Sequence, residues 1–233
     1  MKNYRFNKEK HLHEIEVDGE WKSLTGCTTI LSVLAKPALI SWAAKMAVEY
    51  IRENILKFDL SDPKQFEQLL LEAKSAHTKR KEKAGEWGTE IHSLIENYIK
   101  TGKEDKKIKN FIDWAIKNKV KFLSSEKNVW SEKLWIGGIV DFVCEIDGQI
   151  WIGDIKTSGS GIYPEHFWQC SGYDLMLKDM NLYPNVAGYL ILNLKENGDI
   201  LEKRSISNGD NTKAFLACLD IYRIQEKIKN QVI

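Results

Sequence analysis

What the 233-residue chain lacks narrows its class first. Net charge is almost absent: 34 basic side chains stand against 33 acidic ones, a formal +1, so overall charge argues neither for nor against a polyanionic partner. Cysteine is sparse. Cys27, Cys144, Cys170 and Cys218 sit alone, with no CxxC pair, so zinc-ribbon and iron–sulfur ligand spacings are missing and reduced core thiols are expected. No apolar run approaches the ~18 residues of a membrane span. The opening "MKNYRFNKEKHLHEIEVDG" has no apolar segment of the kind a secretory signal carries. A cytoplasmic protein without a membrane segment is the expectation. Internal repeats and low-complexity linkers are absent too, and so is a GxxxxGK[ST] phosphate loop, which excludes a nucleotide-driven motor within this sequence.

What is present suits one globular domain, or a core with an appended subdomain: 43% of residues are hydrophobic and 10% aromatic. Residues 4–24 read as short strands, with an Asp18-Gly19 hairpin turn in "HEIEVDGEWKSL". Helical spacing follows, with Pro37 at a helix start and Leu39, Trp42, Ala43, Met46 and Tyr50 on one face. A second helical stretch opens at Ser61-Asp62-Pro63. Gly85 and Gly88 are expected to break it in two. "IKNFIDWAIKNKVKFL" reads as one further amphipathic helix. From about Glu126 the pattern turns to β-β-β-α-β-β-α, with the first of these helices starting at Pro164 and the last pair of strands turning at Asn197-Gly198.

The stretch "GGIVDFVCEIDGQIWIGDIKTS", residues 137–158, places two aspartates inside apparent sheet. Asp147-Gly148 is the favoured pair for a two-residue type I′ turn. With that turn, paired residue numbers sum to 295, and Asp141 falls opposite Asp154. Opposed like charges destabilise a sheet. A shared proton resolves the conflict, and so does a divalent cation between the two. Lys156 lies two residues beyond Asp154, on the same face. The bland alternative is an Asp–Lys–Asp cluster that satisfies itself. The sharper one is metal-assisted phosphodiester hydrolysis, in which an amine orients a nucleophile or stabilises charge on phosphate. Val140, Phe142, Cys144, Ile146, Trp151 and Ile155 make the opposite, core-facing surface of the hairpin.

"GGIVDFV" followed by "GDIKTS" resembles the core of the PD-(D/E)xK nuclease superfamily, in particular its RecB-type exonuclease branch, which includes phage and mitochondrial single-strand exonucleases. "GTEIHSLIE" resembles the histidine-bearing helix upstream of that core, and "QCSGY" resembles the QxxxY motif that follows it. The matched order spans about Gly88 to Leu194. The resemblance implies an α/β (α+β) fold: a restriction-endonuclease-like core with a mixed central sheet flanked by helices, plus an N-terminal hairpin and helical subdomain. It implies one nuclease domain over residues 1–233, with hairpin and helical arch in 1–85 and catalytic core in 86–233.

By the same resemblance His92, Asp141, Asp154 and the carbonyl of Ile155 would hold one or two Mg²⁺ or Mn²⁺ ions, with Lys156 catalytic. Gln169 and Tyr173, four apart on one helix, would contact DNA or support the site. Glu126 sits where many members keep an additional acid. No iron–sulfur cluster and no nucleotide are implied. The expected substrate is DNA, at ends or in single strands, in a bacterial or phage-infected cell, with recombination or replication proteins as partners. A sequence-specific endonuclease and a non-catalytic binding protein on this fold are the rival readings. Two basic stretches flank the His92 helix: residues 74–83, including Lys79, Arg80 and Lys81, and residues 100–121, including Lys106 and Lys107. They are expected to bind phosphates. Trp42 and Trp87 are candidate base-stacking platforms. His11, His13, His77 and His166 are expected at the surface.

Overall fold

Two Asp-Gly turns organise the sheet. In the computed structural model, which describes residues 3–159, 161–206 and 209–231, Asp18 and Gly19 have φ of 55° and 81°, and Asp147 and Gly148 have φ of 51° and 75°. Both residues of each pair are left-handed, as type I′ geometry requires. The first turn joins β2 (Leu12–Val17) to β3 (Glu20–Gly26), with β1 (Tyr4–Asn7) antiparallel beside β2. The second joins β5 (Ile136–Ile146) to β6 (Gln149–Lys156). A strand β4 (Lys121–Ser131) precedes them, and β7 (Val186–Leu194) and β8 (Ile200–Ile206) follow.

These eight strands form one mixed sheet in the order β1-β2-β3-β5-β6-β7-β8, with β4 also on β5. The pair β6–β7 is parallel, which demands a crossover, supplied by helix α5 (Pro164–Asp179). A closing helix α6 (Gly209–Lys229) packs with α5 on one face of the sheet, over Val143, Ile152, Tyr189 and Ile191. The other face carries an aromatic cluster. Phe142 meets Phe111, Trp114 and Phe122 at ring-centroid distances of 5.7–6.3 Å. Gly153 leaves room for it: a Cβ there would lie 2.0 Å from the Phe142 ring. All four cysteines are buried and unpaired.

β5 carries β4 along its whole length on one edge and shares the other between two strands. Gly137 pairs with Gly26 of β3, whereas Phe142 to Ile146 pair with β6. The edge forks between them. Side-chain alternation inverts at the same place. Gly138 abuts Tyr173 and Met176 of α5, but Phe142, an even number of residues on, faces the aromatic cluster. The sequence expectation put Val140 and Phe142 on one face; Val140 instead joins the α5 side.

The chain divides into two units, residues 1–34 with 90–233, and residues 35–89. The division expected at 85/86 grouped the N-terminal strands with the helices; instead β3 pairs with β5, a long-range parallel contact. The smaller unit holds helix α2 (Pro37–Asn54) and most of α3 (Pro63–Thr101). A four-residue helix, α1 (Cys27–Ile30), belongs to the larger one.

Helix α3 is continuous through Gly85 and Gly88, against expectation. Each glycine costs a helix about 1 kcal/mol, too little to break one of 39 residues. The reverse error occurs at α4 (Lys109–Lys117), which ends earlier than its pattern suggests. Lys119 turns left-handed at φ 49°, and Val120 N–H bonds back to Ala115, a Schellman closure that releases "VKFL" into β4. No single helix among the described residues is long and apolar enough to cross a membrane.

Candidate metal centre and its lysine

The fork in β5 positions the site. The Asp-Gly turn sets the β5–β6 register as expected, with every pair from Ile146/Gln149 to Phe142/Gly153 summing to 295. The ladder stops one step short of Asp141 and Asp154. There the Asp141 carboxylate takes over, accepting the Ile155 backbone N–H at 2.6 Å. A side chain thus replaces a ladder bond and holds the diverging strands together.

Glu126 of β4 lies between the paired Ser125 and Lys127, across from Asp141. It is left-handed, at φ 47°, an unusual conformation for a glutamate inside a strand. Its Oε1 stands 3.8 Å from His92 Nδ1, and Asp141 Oδ1 stands 3.5 Å from the same nitrogen. His92 projects from α3, two residues into the larger unit. One ligand atom from each of His92, Glu126 and Asp141 lies within 4.8 Å of the others. Ligands at about 2.1 Å from one octahedral ion are separated by roughly 3–4.2 Å, a range that holds the 3.5 and 3.8 Å from His92 Nδ1, so one imidazole and two carboxylates here suit a divalent cation.

Asp154 stands outside that trio. It is 1% exposed, and its Oδ2 meets Lys156 Nζ at 2.6 Å. Lys156 Nζ also donates to Gln169 Oε1 at 3.3 Å, and Gln169 Nε2 donates to the Tyr173 hydroxyl at 2.6 Å. Gln169 and Tyr173 lie one turn apart on α5, both buried. They reach Lys156 from the helix that crosses over β6.

Electrostatics follow from burial and crowding. Burial pushes the Asp141 carboxyl above its ordinary range, more than the His92 and Lys156 charges and the Ile155 N–H pull it down. Burial raises Asp154 likewise against Lys156, and Asp141 adds to the rise. Burial alone would lower Lys156, but Asp154 and Asp141 outweigh it and hold the ammonium above its usual value. Burial also works against a charged His92, yet the facing carboxylates of Glu126, Asp141 and Asp154 carry the imidazole up to about 9. Three carboxylates crowd one pocket, and the cationic forms nearby are stabilised.

The structure brings together His92, Glu126, Asp141, Asp154, Ile155, Lys156, Gln169 and Tyr173. The basic residues behave differently. Lys79, Arg80 and Lys81 are exposed on the smaller unit. Lys106 is exposed, but Lys107 is ion-paired with Glu90, and Lys100, Lys109 and Lys121 pair with Glu96, Asp113 and Glu145. Trp42 meets His77 edge-on within the smaller unit, and Trp87 is half-buried.

Of the four histidines expected at the surface only His11 is exposed. His13 packs against Gly137 and shares a 2.5 Å hydrogen bond with the Tyr4 hydroxyl. His166 sits in the first turn of α5, where a protonated imidazole would pull the Asp154 carboxyl down. Its place three residues ahead of Gln169 was the available signal.

No protein-family model and no curated protein sequence matches the chain. Among solved structures it is similar to SSO0001, with a TM-score of 0.33 at 13% identity over 51% of this chain. That match spans 56% of SSO0001, little more than half its length. It is also similar to an alkaline exonuclease, LHK-Exo, from Laribacter hongkongensis, with a TM-score of 0.36 at 9% identity, over 61% of this chain and 84% of that one. Likeness at this depth carries no weight for activity.

Proposed function

We propose that the protein is a metal-dependent deoxyribonuclease that hydrolyses phosphodiester bonds at DNA ends or in single strands. The observation that supports this most is the adjacency of two sets: the His92–Glu126–Asp141 donor trio, and the Asp154–Lys156 pair beside it on β6. The motif order His92, Asp141, Asp154-x-Lys156, Gln169-x₃-Tyr173 agrees with the family it resembles.

In this reading His92, Glu126 and Asp141 would hold Mg²⁺ or Mn²⁺, with Asp154 and the Ile155 carbonyl as further ligands. Such an ion, when bound, would supply Lewis-acid polarisation of the phosphate and make hydroxide available near neutral pH. Asp154 and Asp141 favour the Lys156 ammonium in the metal-free site. The lysine is placed to orient the nucleophile or to stabilise charge on the phosphate. Asp154 keeps that ammonium charged. Gln169 limits its swing, and Tyr173 fixes Gln169 from behind. Asp141 has two tasks, since its second oxygen also anchors Ile155 N–H and with it the end of the lysine's strand.

The test is digestion of linear single- and double-stranded DNA, end-labelled, alongside covalently closed circles, with Mg²⁺ or Mn²⁺ and with chelator. Metal-dependent loss of linear DNA with intact circles is expected. Nicked circles would turn the assignment to an endonuclease. Binding without turnover in either metal would leave a non-catalytic DNA-binding protein.

A further inference from the structure

The outer face of α6 has the periodicity of a helix made to pair. Ala214, Ala217, Ile221, Ile224 and Ile228 follow one another at spacings of 3, 4, 3 and 4 residues, the a and d positions of two heptads. The helix buries Phe215, Cys218 and Leu219 against the sheet layer, on its other side. Ile221, Ile224 and Ile228 are left 48%, 57% and 53% exposed. Three half-exposed isoleucines in one row exceed the scatter of single apolar residues that any surface shows.

The flanking charges identify the occupant. Asp220 and Lys227, both exposed, each precede an a-position isoleucine and so occupy successive g positions. In an antiparallel pair of identical helices g faces g, with Ile221 layered on Ile224 of the partner subunit. Asp220 then meets Lys227 of the partner subunit, and the two-fold axis repeats the contact. In a parallel pair g faces e, and Asp220 meets only the neutral Gln225 of the partner subunit. The charge pattern is complementary to itself in one orientation and indifferent in the other.

We propose that α6 is a homodimerisation surface, on which a second copy of this chain packs antiparallel through Ile221, Ile224 and Ile228 with reciprocal Asp220–Lys227 pairs. Two heptads make a small interface, so the dimer is weak and reversible. The surface is independent of the proposed chemistry.

Sedimentation equilibrium of the full chain, up to roughly 1 mM and so above the dissociation constant such an interface sets, tests it. Wild type is expected to dimerise, and Ile224→Asp to stay monomeric with an unchanged circular dichroism spectrum. Asp220→Lys and Lys227→Asp should each weaken the dimer about tenfold by opposing like charges. The double variant, with the charges exchanged, should restore it. A monomeric wild type over the whole range would overturn the proposal and leave this face to another partner. So would single charge reversals that change nothing, which is the signature of a parallel pair or of an interface elsewhere.

Discussion

Asp141 and Asp154 lie on adjacent strands where the ladder between them ends, yet their surroundings are opposites. Asp141 shares a partly open pocket with His92 and Glu126, and its Oδ1 faces an imidazole at 3.5 Å. Asp154 is shut in, ion-paired to Lys156 and backed by Gln169 and Tyr173. One half is rich in donors awaiting a cation, and the other already contains one, the ammonium. The lesson is that carboxylates of equal sequence standing do unequal work: Asp141 faces the open donor trio, while Asp154, a further ligand in the proposed reading, also organises an ammonium already present.

Removing either carboxylate should abolish cleavage, and that is the largest effect. Asp141→Asn and Asp154→Asn are each expected to lower the single-turnover rate by at least ~10³-fold, as is Lys156→Met. Wild-type-like turnover in purified Lys156→Met would take the lysine out of the chemistry. Stability separates the halves where activity does not. Asp154→Ala strands a buried ammonium and should cost about 3 kcal/mol in urea unfolding. Asp141→Ala leaves one backbone N–H without its acceptor and should cost about 1–2 kcal/mol. Equal losses would erase the distinction.

Metal titration without DNA sharpens the contrast further. Mn²⁺ should raise the melting temperature of wild type and of Lys156→Met, with chelator reversing the rise. It should leave His92→Ala and Asp141→Asn unmoved. A full response in His92→Ala would remove that histidine from the centre. Gln169→Leu removes both hydrogen bonds behind the lysine, and Tyr173→Phe removes one. A roughly tenfold fall in kcat is expected with the metal response intact, and a lost metal response would show the halves to be one unit.

The smallest effect belongs to a residue outside both halves. Burial, aided by the charge of His11, pulls His13 down to about 4 from 6.5. Between those values the unfolded chain binds a proton that the folded one does not, so stability falls as pH drops through that window. His13→Gln should flatten this part of the stability profile relative to wild type, and an unchanged slope would locate the proton elsewhere.

Local signals made much of this legible. Two Asp-Gly turns set two registers, and heptad-like or alternating spacing placed the elements. The fork was not legible, because it depends on β3 reaching β5 across more than a hundred residues of chain, a contact no local pattern encodes. The inversion of faces at Asp141 followed from the same cause. Strict alternation assumes an unbroken ladder, and here a carboxylate stands in for one rung. Glycine misled at Gly85 and Gly88, where helix length overrode its cost, and a lysine at position 119 did the terminating that glycine usually does. The histidine helix and the lysine's supporting pair were readable only because their order resembled a known family. The charge runs misled in part, since four of the lysines in the second run neutralise acids close at hand.

The ring of Phe142 resting over Gly153 couples two positions that look separable in the sequence. A saturation library at 153 alone should return glycine and little else. Side chains there become tolerable only in combination with a smaller residue at 142. The position just before the buried aspartate can therefore mutate only in step with its cross-strand neighbour, which makes the pair a two-letter word rather than two independent letters.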